Sequence, residues 1–176
     1  MEIHDPIHHA TYSFSREGDT LRVETWLDDG GHLPEHFHPT LDETWQALDG
    51  TVGVKLAGTW RDLTPDDGAV PVPRNTRHEI KNASGRRVHL RATATPPGGL
   101  EEFLTESARA AQEGLFNARN LPTSWRGAMW VADFAHRFSH ETVMTSPPPA
   151  LQRVVLPLVA RLRGTSARRP APAAPR

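Results

Sequence analysis

Four side chains in this sequence have the types and spacing for metal chemistry: His36, His38, Glu43 and His78. His36 and His38 stand two apart, and on a strand residues i and i+2 point to the same face. Both imidazoles can therefore converge on one ion while Phe37 faces the other way. Glu43 follows five residues after His38, beyond Pro39-Thr40, which leaves room for a bend before a carboxylate returns on the next strand. His78 opens the run His78-Glu79-Ile80-Lys81, preceded by Arg77. Arg77, Glu79 and Lys81 share a charged face that belongs to solvent, so His78 and Ile80 are expected to point inward. Imidazole nitrogen with carboxylate oxygen suits zinc, iron, manganese, nickel or copper. Three neutral imidazoles and one carboxylate leave a divalent ion with a net charge of about +1. A five- or six-coordinate ion keeps positions open for water, dioxygen or a chelating oxygen, with a preference for anionic or enolate-like ligands.

The elements that must position these groups are β-strands. From Thr11 to about Pro96, short runs rich in Val, Thr, Trp and Leu alternate with Gly, Pro, Asp and Asn. Strands are read near 11–16, 21–27, 35–38, 44–48, 51–56, 59–63, 69–72, 78–82 and 88–95. Asp49-Gly50 between two apolar runs reads as a tight hairpin. Many short strands with no helix between them imply an antiparallel sandwich or barrel. After Pro96-Pro97-Gly98-Gly99 the apolar period becomes helical, predicting helices over 100–113, 125–138 and, after Pro147-Pro148-Pro149, 150–162. Residues 1–10 read as a polar arm, 11–97 as the barrel and 98–163 as a helical extension packing on the barrel or on a dimer partner. The Arg/Pro/Ala-rich 164–176 reads as a disordered tail.

Composition narrows the function classes. The 176 residues carry a net charge of −1, ten histidines and no cysteine. Without a basic field a nucleic-acid partner is not expected. A Cys-type zinc site, a thiol nucleophile and a disulfide framework are excluded. The first ten residues lack a basic start and an apolar core, so no secretory signal is read there. The stretch 154–160 contains Pro157 and is too short to span a bilayer. A cytoplasmic protein with no membrane partner is the expectation.

The pattern Gly30-x5-His36-x-His38-x4-Glu43-x6-Gly50 resembles the first cupin motif at every position. Gly68, Pro73, His78 and Asn82 resemble the second, with two departures. Gly68 is one residue too close to Pro73, and Asn75 stands where the family usually has Gly. Asn tolerates the left-handed conformation better than most residues, so the turn can survive. The resemblance covers about half the chain. The helical extension loosely resembles that of small bacterial single-domain cupins. The resemblance implies an all-β double-stranded β-helix (jelly-roll) barrel followed by α-helices. It also implies that His36, His38, Glu43 and His78 hold one divalent metal ion at the bottom of a pocket, and that the chain is a homodimer.

Other candidates carry less. Trp45 shares Glu43's face and is either pocket lining or core aromatic; Ile80 shares His78's face and fits core better than substrate contact. His89 reads as a surface strand residue, His32 as a loop residue, Glu35 as solvated, and His4, His8 and His9 as part of the arm. The functional expectation is a metal-dependent oxygenase acting on a small enolic, phenolic or carboxylate substrate, with Glu43 doubling as a base if it detaches. The alternatives are a non-redox isomerase, lyase or decarboxylase and a non-catalytic small-molecule binder. Chemistry hosted by such barrels is too varied for the fold to decide.

Overall fold

A computed structural model describes residues 2–145. The predicted helix over 150–162 and the tail 164–176 lie outside the described residues. The strands are β1 (Glu2–Asp5), β2 (Ala10–Glu17), β3 (Thr20–Leu27), β4 (His32–Phe37), β5 (Asp42–Asp49) and β6 (Val52–Leu56). They continue with β7 (Thr59–Leu63), β8 (Val70–Val72), β9 (His78–Lys81), β10 (Val88–Thr95) and the short β11 (Val143–Met144). Helices α1 (Leu100–Gln112) and α2 (Trp125–Arg137) come between β10 and β11.

Period-two burial makes the strands. In β3, Leu21, Val23, Thr25 and Leu27 face inward while Arg22 and Glu24 face out. In β10 the inward residues are Val88, Leu90, Ala92 and Ala94. The strands form two antiparallel sheets, ordered β1-β2-β3-β10-β5-β8 and β11-β4-β9-β6-β7. Strands β3 to β10 divide four and four in the interleaved order 3-10-5-8 and 4-9-6-7, which is the jelly-roll arrangement. The core lies between the sheets around Leu21, Leu27, Val54, Leu63 and Leu90.

Two differences from the sequence reading have physical causes. The polar arm contains a strand: β1 pairs with β2, and Ile3 and Asp5 turn inward while Glu2 and His4 face out. The Asp49-Gly50 turn is not a hairpin, because β5 and β6 belong to different sheets. It carries the chain across the barrel edge, with Gly50 at φ 83° and so close to Val88 that a Cβ would lie 2.7 Å from its Cγ1. The tight hairpin is instead β6–β7, closed by Ala57-Gly58, both at positive φ. The helices cover the mouth of the barrel, lining one cavity with it. Phe103 of α1 packs on Phe134 of α2 (ring centroids 4.8 Å apart) and on Phe138 (5.5 Å). Ser124 caps α2 by accepting from Gly127 N at 3.1 Å. Among the described residues no helix is long and apolar enough to cross a membrane.

Candidate metal centre

Two sheets meet at the centre. His36 lies on β4, His38 one residue beyond that strand, and His78 at the start of β9, all from one sheet. Glu43 comes from β5 in the facing sheet. Cross-strand partners make room for the larger groups: Ala94 stands opposite Glu43 and Ala92 opposite Trp45. His78 is the first residue after the Arg74–Arg77 turn, where Asn75 takes φ 64°, the left-handed conformation expected at the position where the family motif has Gly. Asn75 N also donates to the His38 carbonyl at 2.8 Å, fixing the main chain of a second candidate ligand.

The hydrogen bonds decide which nitrogen each ring offers. His36 Nδ1 lies 2.7 Å from the Pro34 carbonyl, His78 Nδ1 2.8 Å from the Thr76 carbonyl and His38 Nδ1 2.8 Å from the Glu141 carbonyl. A carbonyl only accepts, so each Nδ1 carries the proton and each neutral ring presents its Nε2 lone pair. Those lone pairs converge: ligand atoms of His36, His38 and His78 lie within 4.8 Å of one another. His36 and His78 bring Nε2 atoms to 3.0 Å. Glu43 Oε2 sits 3.5 Å from His38 Nε2 and 3.6 Å from His78 Nε2. Among the described residues it is the one buried side-chain oxygen or nitrogen without a hydrogen-bond partner. The three imidazole nitrogens group within reach of one ion, and the Glu43 oxygen stands beside two of them, with no donor among these four atoms. A cation satisfies such a set, and the 3.0–3.6 Å separations of His36 from His78 and of Glu43 from His38 and His78 suit it. Ligand atoms about 2.0–2.2 Å from an ion are roughly 3.0–3.5 Å from each other.

Burial keeps the rings neutral. It lowers His36 to about 4, helped by His38, and His38 also to about 4. Burial, with His36 and His38 alongside, pushes His78 far below the usual histidine range. The same burial raises Glu43 to about 7, against the opposing pull of His36 and Trp45. A bound cation reverses the preference of Glu43 and favours the carboxylate.

The centre opens into a cavity of about 660 Å³. The barrel supplies Val23, Leu33, Leu90 and Ala92 to its wall, and the helices supply Leu104, Trp130 and Phe134. Trp45 and Ile80 line it as well as packing in the core. Trp45 sets its ring edge-on to His78, centroids 5.0 Å apart.

The fold is a cupin barrel. Its jelly-roll strand order, with His36 on β4, His38 just beyond it, Glu43 on β5 and His78 on β9, is that of such a barrel. Among solved structures the chain is similar to KdgF from Halomonas sp., at 20% identity over 57% of this chain and 91% of that one, TM-score 0.49. It is also similar to a sugar phosphate isomerase of the cupin superfamily from Silicibacter pomeroyi (13% identity, 51% and 60% covered, TM-score 0.46). An RmlC-like cupin from Shewanella frigidimarina gives 22% identity, 54% and 83% covered, and TM-score 0.47. No family model and no curated protein matches the chain.

The remaining cupin-motif and histidine positions fall into place around this barrel. Asn82 is fully buried and its amide donates to the Leu27, Asp28 and Arg86 carbonyls at 2.7–3.0 Å, so it pins loops and does not enter the cavity. Glu35 pairs with Lys55 at 3.0 Å, and His32 with Glu79 at 2.7 Å. His89 stacks on Trp26 and bonds Glu24 on the barrel's outside. Sequence reasoning missed the Glu141 carbonyl, which no residue type announces. It also missed Thr142, whose Oγ1 is 3.2 Å from His38 Nδ1.

Proposed function

We propose that this cupin holds one divalent ion through His36, His38, Glu43 and His78 and acts as a metal-dependent oxygenase on a small, largely apolar molecule bearing enolic, phenolic or carboxylate oxygens. The observation that carries the proposal is the convergence of three imidazole nitrogens at the floor of an apolar cavity, with the unpartnered, buried Glu43 oxygen beside two of them. When bound, the ion supplies Lewis acidity and, if it is iron or manganese, one-electron chemistry with dioxygen. The chain's own groups do the rest. The three carbonyl-locked imidazoles hold the donor geometry. The aromatic walls from α1 and α2 keep water from the reacting oxygens and favour an aromatic or aliphatic body over a polyhydroxylated one. Glu43, if released from the ion, can take a proton at Oε2, and burial suits that role by lifting its affinity for protons toward neutrality.

That last feature also favours a second reading, a non-redox isomerase, lyase or decarboxylase that uses the ion as Lewis acid and Glu43 as base. The two readings part in one experiment. Iron-loaded protein is offered a panel of phenols, enols and keto acids in an oxygen electrode, and zinc-loaded protein is offered the same panel without oxygen. Oxygen uptake coupled to substrate loss supports the oxygenase. Anaerobic turnover by the zinc form, with no oxygen uptake by the iron form, replaces it with the second reading.

A further inference from the structure

The cavity has a second polar pole that the metal chemistry does not use. Asp5 closes β1 and is 1% exposed; His8, three residues on, is 9% exposed; both line the cavity. The carboxylate of Asp5 is fully engaged with this turn. Its Oδ1 accepts from Ile7 N at 2.9 Å and His8 N at 3.0 Å, and its Oδ2 lies 2.8 Å from His8 Nδ1. The carboxylate therefore holds the Nδ1 proton and leaves Nε2 as the working nitrogen. This is the orienting relation a carboxylate has to an imidazole in acid–base sites. Nε2 meets Asn120 Oδ1, on the loop between α1 and α2, at 3.1 Å; with the ring proton on Nδ1, the amide pairs with Nε2 by turning its nitrogen to the ring. Backbone at both sides of this contact is held in the left-handed region, His9 at φ 50° and Asn120 at φ 56°. Asn tolerates that conformation readily, whereas His9 holds it because its surroundings enforce it.

The pole sits farther along the barrel wall than the metal ligands, with His8 still close enough to act electrostatically on His36. The His8 carbonyl accepts from His32 N at 3.1 Å, at the first residue of β4. His36 lies four residues farther along, roughly 13 Å of strand. The same wall carries Val23, Leu33, Leu90 and Ala92 with the buried cross-strand pair Tyr12 and Thr25, and α1 adds Ser107.

We infer that Asp5, His8 and Asn120 form a recognition subsite for the end of the substrate remote from the metal. The ligand class has a chelating oxygen pair at one end, an aliphatic or aromatic body, and a hydroxyl or carbonyl at the other. An imidazole nitrogen beside a side-chain amide can donate to or accept from such a group. This inference rests on the metal-centre reading given above and concerns a different part of the same cavity.

The test uses full-length cobalt-loaded protein and three hydroxamates in calorimetry: acetohydroxamate, octanohydroxamate and 8-hydroxyoctanohydroxamate. The first reads the metal, the second the apolar wall and the third the far pole. The terminal hydroxyl is expected to tighten binding by about threefold to tenfold over octanohydroxamate, the range of one net hydrogen bond. His8→Phe abolishes that gain and leaves acetohydroxamate affinity and metal content unchanged; His8→Gln restores part of it. Should His8→Phe fold poorly, Asn120→Ala reads the same subsite from the other side, and its gain shrinks. A hydroxyl that gives no gain in the native protein, or the same gain in the variants, overturns the subsite while acetohydroxamate binding leaves the metal centre standing. Failure of acetohydroxamate to bind at all overturns the metal reading, and the subsite with it.

Discussion

The cavity's two polar ends are built on opposite principles. At the candidate metal end three imidazole nitrogens converge, and the carboxylate oxygen beside two of them has no hydrogen-bond partner. At the far end a carboxylate and an imidazole satisfy each other and their own backbone. Buried polar groups without partners are costly, so the first arrangement is stable only when something positive completes it. The second is complete as folded. One end demands a ligand for its own stability, and the other is free to exchange an internal partner for a substrate group.

The sharpest way to break this contrast is to remove ligands. Replacing His36 and His38 together by Ala should reduce metal content, measured by elemental analysis, from stoichiometric to background. Glu43→Gln should weaken metal affinity by more than the roughly 10–100-fold typical of changes to groups that merely support a ligand. In the absence of metal, the same variant should melt higher than the parent at pH 7.5. The sign follows from burial. Glu43 is raised to about 7 from 4.5, so ionisation penalises the fold progressively between those values and fully above them.

Acid should strike the same end. His36 and His38 are lowered from 6.5 to about 4, so their contribution to stability is present above pH 6.5 and is lost as pH falls toward 4. His78 is shifted the same way. The Glu43 effect has the opposite sign, but the imidazoles outnumber it. Thermal melts of chelator-treated protein should fall by on the order of 5–10 °C between pH 6.5 and 4.5. The double Ala variant should lose most of that dependence.

At the satisfied end, His8→Phe strips Asp5 of a buried partner. That should lower the melting temperature by about 2–10 °C with metal content intact. The smallest effect is expected at Asn75, which already stands at φ 64°. Asn75→Ala should destabilise by roughly 1 kcal/mol in chemical denaturation, and Asn75→Gly should be neutral or slightly stabilising.

The sequence made the two ends unequally legible. His36, His38, Glu43 and His78 could be found because spacing on strands converts directly into shared faces. Trp45's inward direction followed from the same rule. Asn75 could be read as a turn residue because its left-handed tolerance is intrinsic. The far end had no such signal. His8 meets Asn120 across 112 positions of chain, a distance no local pattern spans. β1 was hidden because Glu2–Asp5 turns only one apolar residue, Ile3, to the core, and its second inward residue is an acid. β11 is too short for any period to register. The Asp49-Gly50 turn misled because turn chemistry specifies a reversal of the chain but not which sheet receives the next strand.

Glu141 joins parts of the molecule that a domain division would separate. Its carbonyl holds the proton of His38, its carboxylate accepts from Gly99 N at 2.6 Å where α1 begins, and two residues later β11 adds to β4 beside His36 and Phe37. A fragment ending at Pro96 would keep all four candidate ligands yet let one imidazole turn on its axis, its tautomer unassigned. The barrel is therefore not a portable metal cassette. Tryptic cleavage within the helical segment should loosen the ion, and loading the ion should shield that segment from trypsin.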